Sequence, residues 1–66
     1  MIMDVDQLRT AMEQMERLIR ALDDLKANVL PHHPELFATM AEAPFVDLDR
    51  LCDETSEYVH ALKRRI

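Results

Sequence analysis

The sequence of 66 residues contains no glycine, no tryptophan and a single cysteine. Glycine lets a backbone turn tightly or approach a phosphate closely, so its absence excludes a P-loop, a dinucleotide-binding turn and a nucleophile elbow. Two-residue hairpin turns also depend on glycine, which argues against a β-hairpin fold. Cys52 alone forms neither an internal disulfide nor a four-thiolate zinc site.

The sequence also lacks a surplus of basic residues and a long apolar run. It has 8 Lys+Arg against 13 Asp+Glu, for a net charge of -5, and this acidic balance argues against general nucleic-acid binding. No apolar run approaches the roughly 20 residues of a membrane span, and Met1 to Met3 lead into Asp4 without a signal peptide. Together with the one unpaired cysteine, these features favour a cytoplasmic protein with no membrane partner.

The strongest positive signal is helical periodicity over residues 4–30. Apolar residues in this stretch recur at spacings of three and four, which is typical of one long amphipathic helix. They are Val5, Leu8, Met12, Met15, Ile19 and Leu22. Asp4 or Asp6 is placed to cap the first turn. Pro31 disfavours helical backbone before it, so the helix is expected to end at or shortly before Leu30.

Two further helices are predicted after the first one. A short corner helix spans residues 35–43, because Pro34 suits the first turn of a helix and Pro44 stops it. The last helix spans residues 48–66, with Asp47 as its N-cap. Its apolar residues recur at spacings of four and three, and they are Leu48, Cys52, Thr55, Val59, Leu62 and Ile66. The predicted fold is all-α, a helical hairpin with a corner helix between two long helices.

This single helical domain, residues 1–66, has little core of its own. One core of such a size supplies roughly 3–5 kcal/mol, and Ala11, Leu18 and Leu25 widen the first helix's apolar face beyond what one helix covers. We therefore expect two hairpins to pair through their first helices into a homodimeric four-helix-type bundle. The predicted oligomer interface consists of Leu8, Met12, Met15, Ile19 and Leu22. The alternative is a compact three-helix monomer that covers this face itself.

Few side chains are spaced for chemistry. Glu57 and His60 form the carboxylate–imidazole pair, three residues apart, that di-metal helical bundles use, or else they are a solvated helix face. His32 and His33 are expected to be polar residues of the connection, and the alternative is a metal-binding or pH-sensitive pair that could join Glu57 and His60. Cys52 and His60 are two turns apart, about 12 Å of helix rise, which is too far for a nucleophile and its base. No catalytic site and no cofactor are therefore predicted.

The sequence as a whole predicts a small non-enzymatic protein–protein interaction or regulatory module that acts as a homo-oligomeric helical bundle. Asp53, Glu54 and Glu57 are the residues expected to contact an unidentified basic protein partner, because complementary charge sets the register of an interface. The alternative function is a metal-binding helical bundle using Glu57 and His60. A third hypothesis is a dimeric nucleic-acid regulator that uses the basic residues 63–65.

Overall fold

The computed structural model describes residues 1–65 and contains two helices, α1 (Val5–Asn28) and α2 (Pro34–Arg65). The described chain has no strand, so the all-α prediction is confirmed. The start of α1 packs beside the end of α2, which makes the pair an antiparallel hairpin. The molecule measures 49 × 16 × 15 Å, and its length is that of α2, about 48 Å at 1.5 Å per residue.

Side-chain capping fixes the start of α1. Asp4 has extended backbone dihedral angles, and its side chain accepts a hydrogen bond from the Gln7 amide at 2.8 Å. The Gln7 side chain in turn accepts from the Met3 amide at 2.6 Å. Helix starts leave amide groups without partners, and a capping aspartate satisfies one of them. Asp4, rather than Asp6, is therefore the N-cap of α1.

The chain reverses direction over residues 29–33 without glycine. No described residue has a positive φ. The Val29 carbonyl accepts from the amides of His32 and His33 at 3.2 and 2.7 Å, and the His33 carbonyl accepts from the Phe37 amide at 2.9 Å. Pro34 is the first residue of α2, where its missing N–H has no helical partner to lose.

The separate corner helix is not present. Where the sequence predicted one helix over 35–43 and another over 48–66, α2 runs without a break from Pro34 to Arg65, with Pro44 inside it. Asp47 consequently lies within the helix and is not an N-cap. An interior proline removes one hydrogen bond and crowds the carbonyl four residues earlier, which is why the sequence predicts a stop at Pro44.

A regular inward column explains why α2 continues through Pro44. The residues of this column are all buried or half-buried, and they recur at spacings of four and three along the whole helix. They are Phe37, Ala41, Pro44, Leu48, Leu51, Thr55 and Tyr58. Pro44 is itself a member of the column, so a break there would remove its neighbours from the seam with α1. Packing of the continuous column therefore outweighs the cost of the proline.

α1 has a matching inward column. Its members, spaced by three and four and again buried or half-buried, are Leu8, Ala11, Met15, Leu18, Leu22, Leu25 and Val29. The core where the columns meet consists of Ala11 and Leu51 together with Ile2 from the segment before α1. Within residues 1–65 no side chain is completely enclosed, so the seam between the helices is thin.

The inward column of α2 differs from the predicted series at two places, and at each of them the inward residue is the one before the predicted residue. Leu51 is 5% exposed, whereas Cys52, which was predicted to face inward, is exposed. Tyr58 likewise packs against the core, whereas Val59 is exposed. Leu48 and Thr55 belong to both columns, and Ile66 lies outside the described residues. The predicted register was therefore wrong at Cys52 and Val59, and Leu62, a further member of the predicted series, is also exposed, at 36%.

Replacement of Leu51 by alanine tests this register. Leu51 is the most enclosed large side chain of α2, so we expect Leu51→Ala to lower the free energy of unfolding by about 2–3 kcal/mol. Leu36 is 48% exposed, and the same change there should cost under about 1 kcal/mol. Urea denaturation followed by circular dichroism measures both values. Equal losses would contradict the inward position of Leu51.

Replacement of Pro44 by alanine tests the continuity of α2. Alanine restores the missing amide at position 44, and interior proline costs about 3 kcal/mol relative to alanine. Part of that gain is offset by lost contacts of the half-buried ring, so we expect stabilisation of about 1–2 kcal/mol in thermal or urea unfolding. Pro31→Ala, a change in the turn, is the matched control and should not stabilise. Destabilisation by Pro44→Ala would argue for a break at this position.

Candidate association surface

An exposed apolar strip follows one side of the hairpin. In α1 it contains Val5, Met12 and Ile19, and in α2 it contains Phe45, Cys52 and Val59. Within each helix these residues are seven apart, which is close to two turns, so each set forms a line along its helix. We call these six residues the apolar side.

The two lines lie on the same side because the helices are antiparallel. Met12 comes four residues after the inward residue Leu8, and Cys52 comes four residues after the inward residue Leu48, so both are rotated from the seam in the same sense. When two helices face each other in opposite directions, positions rotated in the same sense meet on one flank. The Cys52 thiol accordingly donates a hydrogen bond to the Met15 sulfur at 3.7 Å. Met15 is the inward residue three positions after Met12, so Cys52 contacts α1 on the flank where Met12 lies.

The apolar side is well exposed. The exposed fractions are 68% for Val5, 54% for Ile19 and 49% for each of Met12, Phe45 and Val59. Single exposed apolar residues are normal on soluble proteins, but exposed apolar residues that line one side of both helices are a typical mark of an interaction site.

The opposite flank of the hairpin is polar near the helix termini and is partly covered there by the chain itself, whereas Met40, fourteen residues before Glu54 on the same line of α2, is exposed toward the turn. Ile2, only 9% exposed, packs into the core on Ala11 and Leu51. Glu54 lies there with its Oε1 atom 3.8 Å from the Arg50 guanidinium and 3.9 Å from the Met1 amine. The segment before α1 therefore closes one flank and leaves the apolar side open.

The predicted oligomer interface is divided between the seam and the apolar side. Leu8, Met15 and Leu22 are half-buried between the helices, whereas Met12 and Ile19 are exposed. Phe45 and Val59 were not among the predicted interface residues. Their spacing of fourteen residues in α2, matching that of Val5 and Ile19 in α1, is the signal that could have found them.

The structure does not complete a metal site around Glu57 and His60. Both residues are exposed on α2, and nowhere in residues 1–65 do three or more His, Cys, Asp or Glu side chains come together as ligands. His32 and His33 are exposed in the turn at the far end of the hairpin. The carboxylate–imidazole pair thus has no third ligand from the described part of its own chain.

The three acidic residues predicted to bind a partner have different surroundings. Asp53 and Glu57 are exposed on α2. The side chain of Glu54 is only 29% exposed, and it lies on the polar flank beside Arg50. Asp53 and Glu57 are therefore the two members of this set that are open to a partner.

The structure as described is an antiparallel helical hairpin with one flank that the segment before α1 covers near the termini and one open apolar side. Neither of its helices, over the residues described, is long and apolar enough to cross a membrane. No family model, no curated protein and no solved structure matches the chain significantly.

Proposed function

We propose that this chain is a cytoplasmic, non-enzymatic protein-interaction module that acts as a homodimer, in which two hairpins join through their apolar sides into a four-helix bundle. The observation that carries the proposal is that α1 and α2 place their extra apolar lines on the same side. Lines on opposite sides would give two narrow strips, whereas lines on one side give a surface two helices wide.

The number of apolar positions per heptad supports a bundle of more than two helices. A two-helix seam needs two inward positions in seven, while a helix in a bundle core uses three. Met12 and Ile19 supply the third position in α1, and Phe45 and Val59 supply it in α2. Pairing of two copies gives each of these lines a neighbour.

The thin seam also favours association. With no completely enclosed side chain among residues 1–65, the hairpin alone gains little from burial. In the proposed dimer the apolar sides pack together, and the half-buried residues Leu8, Met15 and Leu22 become part of a shared core. Closed two-fold dimers are the commonest form of such assemblies.

The edge of the apolar side favours a second copy as its occupant. This edge, formed by the residues beside the two apolar lines, carries both signs of charge: Arg9 and Lys63 are basic, and Glu16, Asp23, Glu42 and Asp49 are acidic. A strongly basic or acidic partner would meet like charges somewhere along it, whereas a copy of the same surface can set Arg9 and Lys63 against acidic residues. Asp53 and Glu57 stay outside this edge, and we propose them as the contact for a basic protein partner.

Sedimentation equilibrium of the wild-type chain and two variants tests the dimer. The expected wild-type mass at micromolar concentration is twice 7.7 kDa. Ile19→Glu introduces a carboxylate into the apolar side, and burying it without a partner should weaken dimerisation at least tenfold. Val46→Glu is the matched control, because Val46 is 62% exposed and lies outside the apolar side. It should leave the dissociation constant unchanged.

Two results would contradict the proposed dimer. One is a monomeric mass for a wild-type sample that is helical by circular dichroism. The other is an unchanged dissociation constant for Ile19→Glu. Phe45→Glu places the same charge on the apolar side from α2, so agreement between the two variants separates loss of the dimer from a local effect on α1.

A further inference from the structure

We infer that the two copies pack end over end, with the turn of each copy beside the helix termini of the other and the two-fold axis passing by Met12 and Cys52. This inference rests on the proposed dimer and adds the orientation and register of the partner. It follows from the positions of the charged residues beside the apolar side.

Two symmetric arrangements bring the apolar sides together. If the two-fold axis runs along the hairpin, α1 packs on the partner's α2, and the two turns lie at the same end. If the axis runs across the hairpin, α1 packs on the partner's α1, α2 packs on the partner's α2, and the turns lie at opposite ends. Met12 and Cys52 are the middle residues of the two apolar lines, so an axis across the hairpin that centres the lines passes beside them.

The outer edge of the apolar side has a gradient of charge. It is formed by the residues four positions after each member of the two lines, together with Glu42 at the turn end. These are Arg9, Glu16 and Asp23 in α1 and Asp49, Ser56 and Lys63 in α2. The basic residues lie near the termini and the acidic ones toward the turn. Lys26 lies seven residues after Ile19, on the same line of α1. Its Nζ atom is 3.1 Å from Oδ1 of Asp23 on the same helix.

End-over-end packing places opposite charges together. Lys63 and Glu42 lie eleven and ten residues on either side of Cys52, so Lys63 falls beside the partner's Glu42. Arg9 and Glu16 lie three and four residues on either side of Met12, so Arg9 falls beside the partner's Glu16. Each pair occurs twice because the dimer is symmetric.

The same-end arrangement places acidic residues together. Ala11 packs with Leu51 in the core and Cys52 contacts Met15, and these two contacts together place Met12 within a helical turn of the level of Cys52. By the same contacts, Asp49 lies within a turn of the level of Glu16, and Glu42 within a turn of the level of Asp23. In this arrangement Asp49 lies near the partner's Glu16, and Glu42 lies near the partner's Asp23. Like charges that meet across an interface disfavour it, so the charge pattern selects end-over-end packing.

A disulfide between the two copies of Cys52 can form in only one of the two arrangements. End-over-end packing brings Cys52 beside the partner's Cys52 on neighbouring helices, whose axes are about 8–10 Å apart. In the same-end arrangement the two α2 helices occupy diagonal corners of the bundle, about 14 Å apart, beyond the reach of a disulfide. Treatment of the dimer with copper–phenanthroline should therefore give a covalent dimer. The added oxidant takes two electrons, two protons are released, and one S–S bond forms.

A spin label far from the axis gives an independent distance. Ala38 lies fourteen residues before Cys52, about 21 Å along a helix, so end-over-end packing separates two labels at position 38 by about 42 Å. Same-end packing would place these labels about 14 Å apart, plus the length of the label arms. The sample is the Cys52→Ser, Ala38→Cys variant, labelled with a nitroxide, shown by sedimentation to be dimeric, and measured by double electron–electron resonance.

A charge exchange tests the pairing itself. Lys63→Glu should weaken the dimer about fivefold, because it replaces two attractive pairs at the edge by two repulsive ones. Glu42→Lys in the same chain should restore the wild-type dissociation constant. Arg64→Glu, the same change of charge one residue further and outside this edge, is the matched control and should have little effect.

The outcomes separate the orientation from the dimer. A monomeric mass for wild type overturns the proposed function and this inference together. A dimeric mass with a label distance near 14–20 Å, or without a Cys52 crosslink, overturns end-over-end packing and leaves the dimer standing. A dimer that Glu42→Lys fails to restore overturns the proposed charge pairing.

Discussion

The seam between α1 and α2 is the interaction on which the rest of the structure depends. Two helices can hide only the faces they turn toward each other, and here each face is a column of two positions per heptad. Ala11 allows a close approach opposite Leu51, and Ile2 closes one flank of the contact. The large apolar side chains of α1 and α2 that lie outside these columns are exposed over the described residues, so the same seam that forms the hairpin also defines its open side.

The seam also decides features that local preferences oppose. Proline is the poorest residue in a helix interior, yet Pro44 lies within α2 because it occupies a place in the inward column. Thr55 lies in the same column, where its hydroxyl donates to the Leu51 carbonyl at 2.8 Å and so has a partner. Tertiary packing outweighs propensity at both positions.

Sequence patterns were sufficient for the helical class and limited the cap of α1 to Asp4 or Asp6, because periodicity and capping are local. They were insufficient for the choice between neighbouring columns. Leu51 and Tyr58 form one apolar series in α2, Cys52 and Val59 form another, and only packing against α1 decides which faces inward. Excess apolar surface on α1 was predicted, with Met12 and Ile19 among the interface residues, but Ala11, Leu18 and Leu25, which were expected to widen the face, lie in the inward column. In α2, Cys52 and Val59 were missed because they were assigned to the inward series, and Phe45 was missed because it was placed before the predicted last helix.

The regular columns restrict how the length of this chain can change. Deleting one residue from the middle of α2 would turn everything beyond it by about 100° around the helix axis, which would carry the later members of the column away from α1. A deletion of seven residues would nearly preserve the facing, at the loss of two turns. The connection over residues 29–33 belongs to neither helix, so an extra residue there leaves both columns in phase. The fold therefore tolerates a change of length best in the turn or as whole heptads.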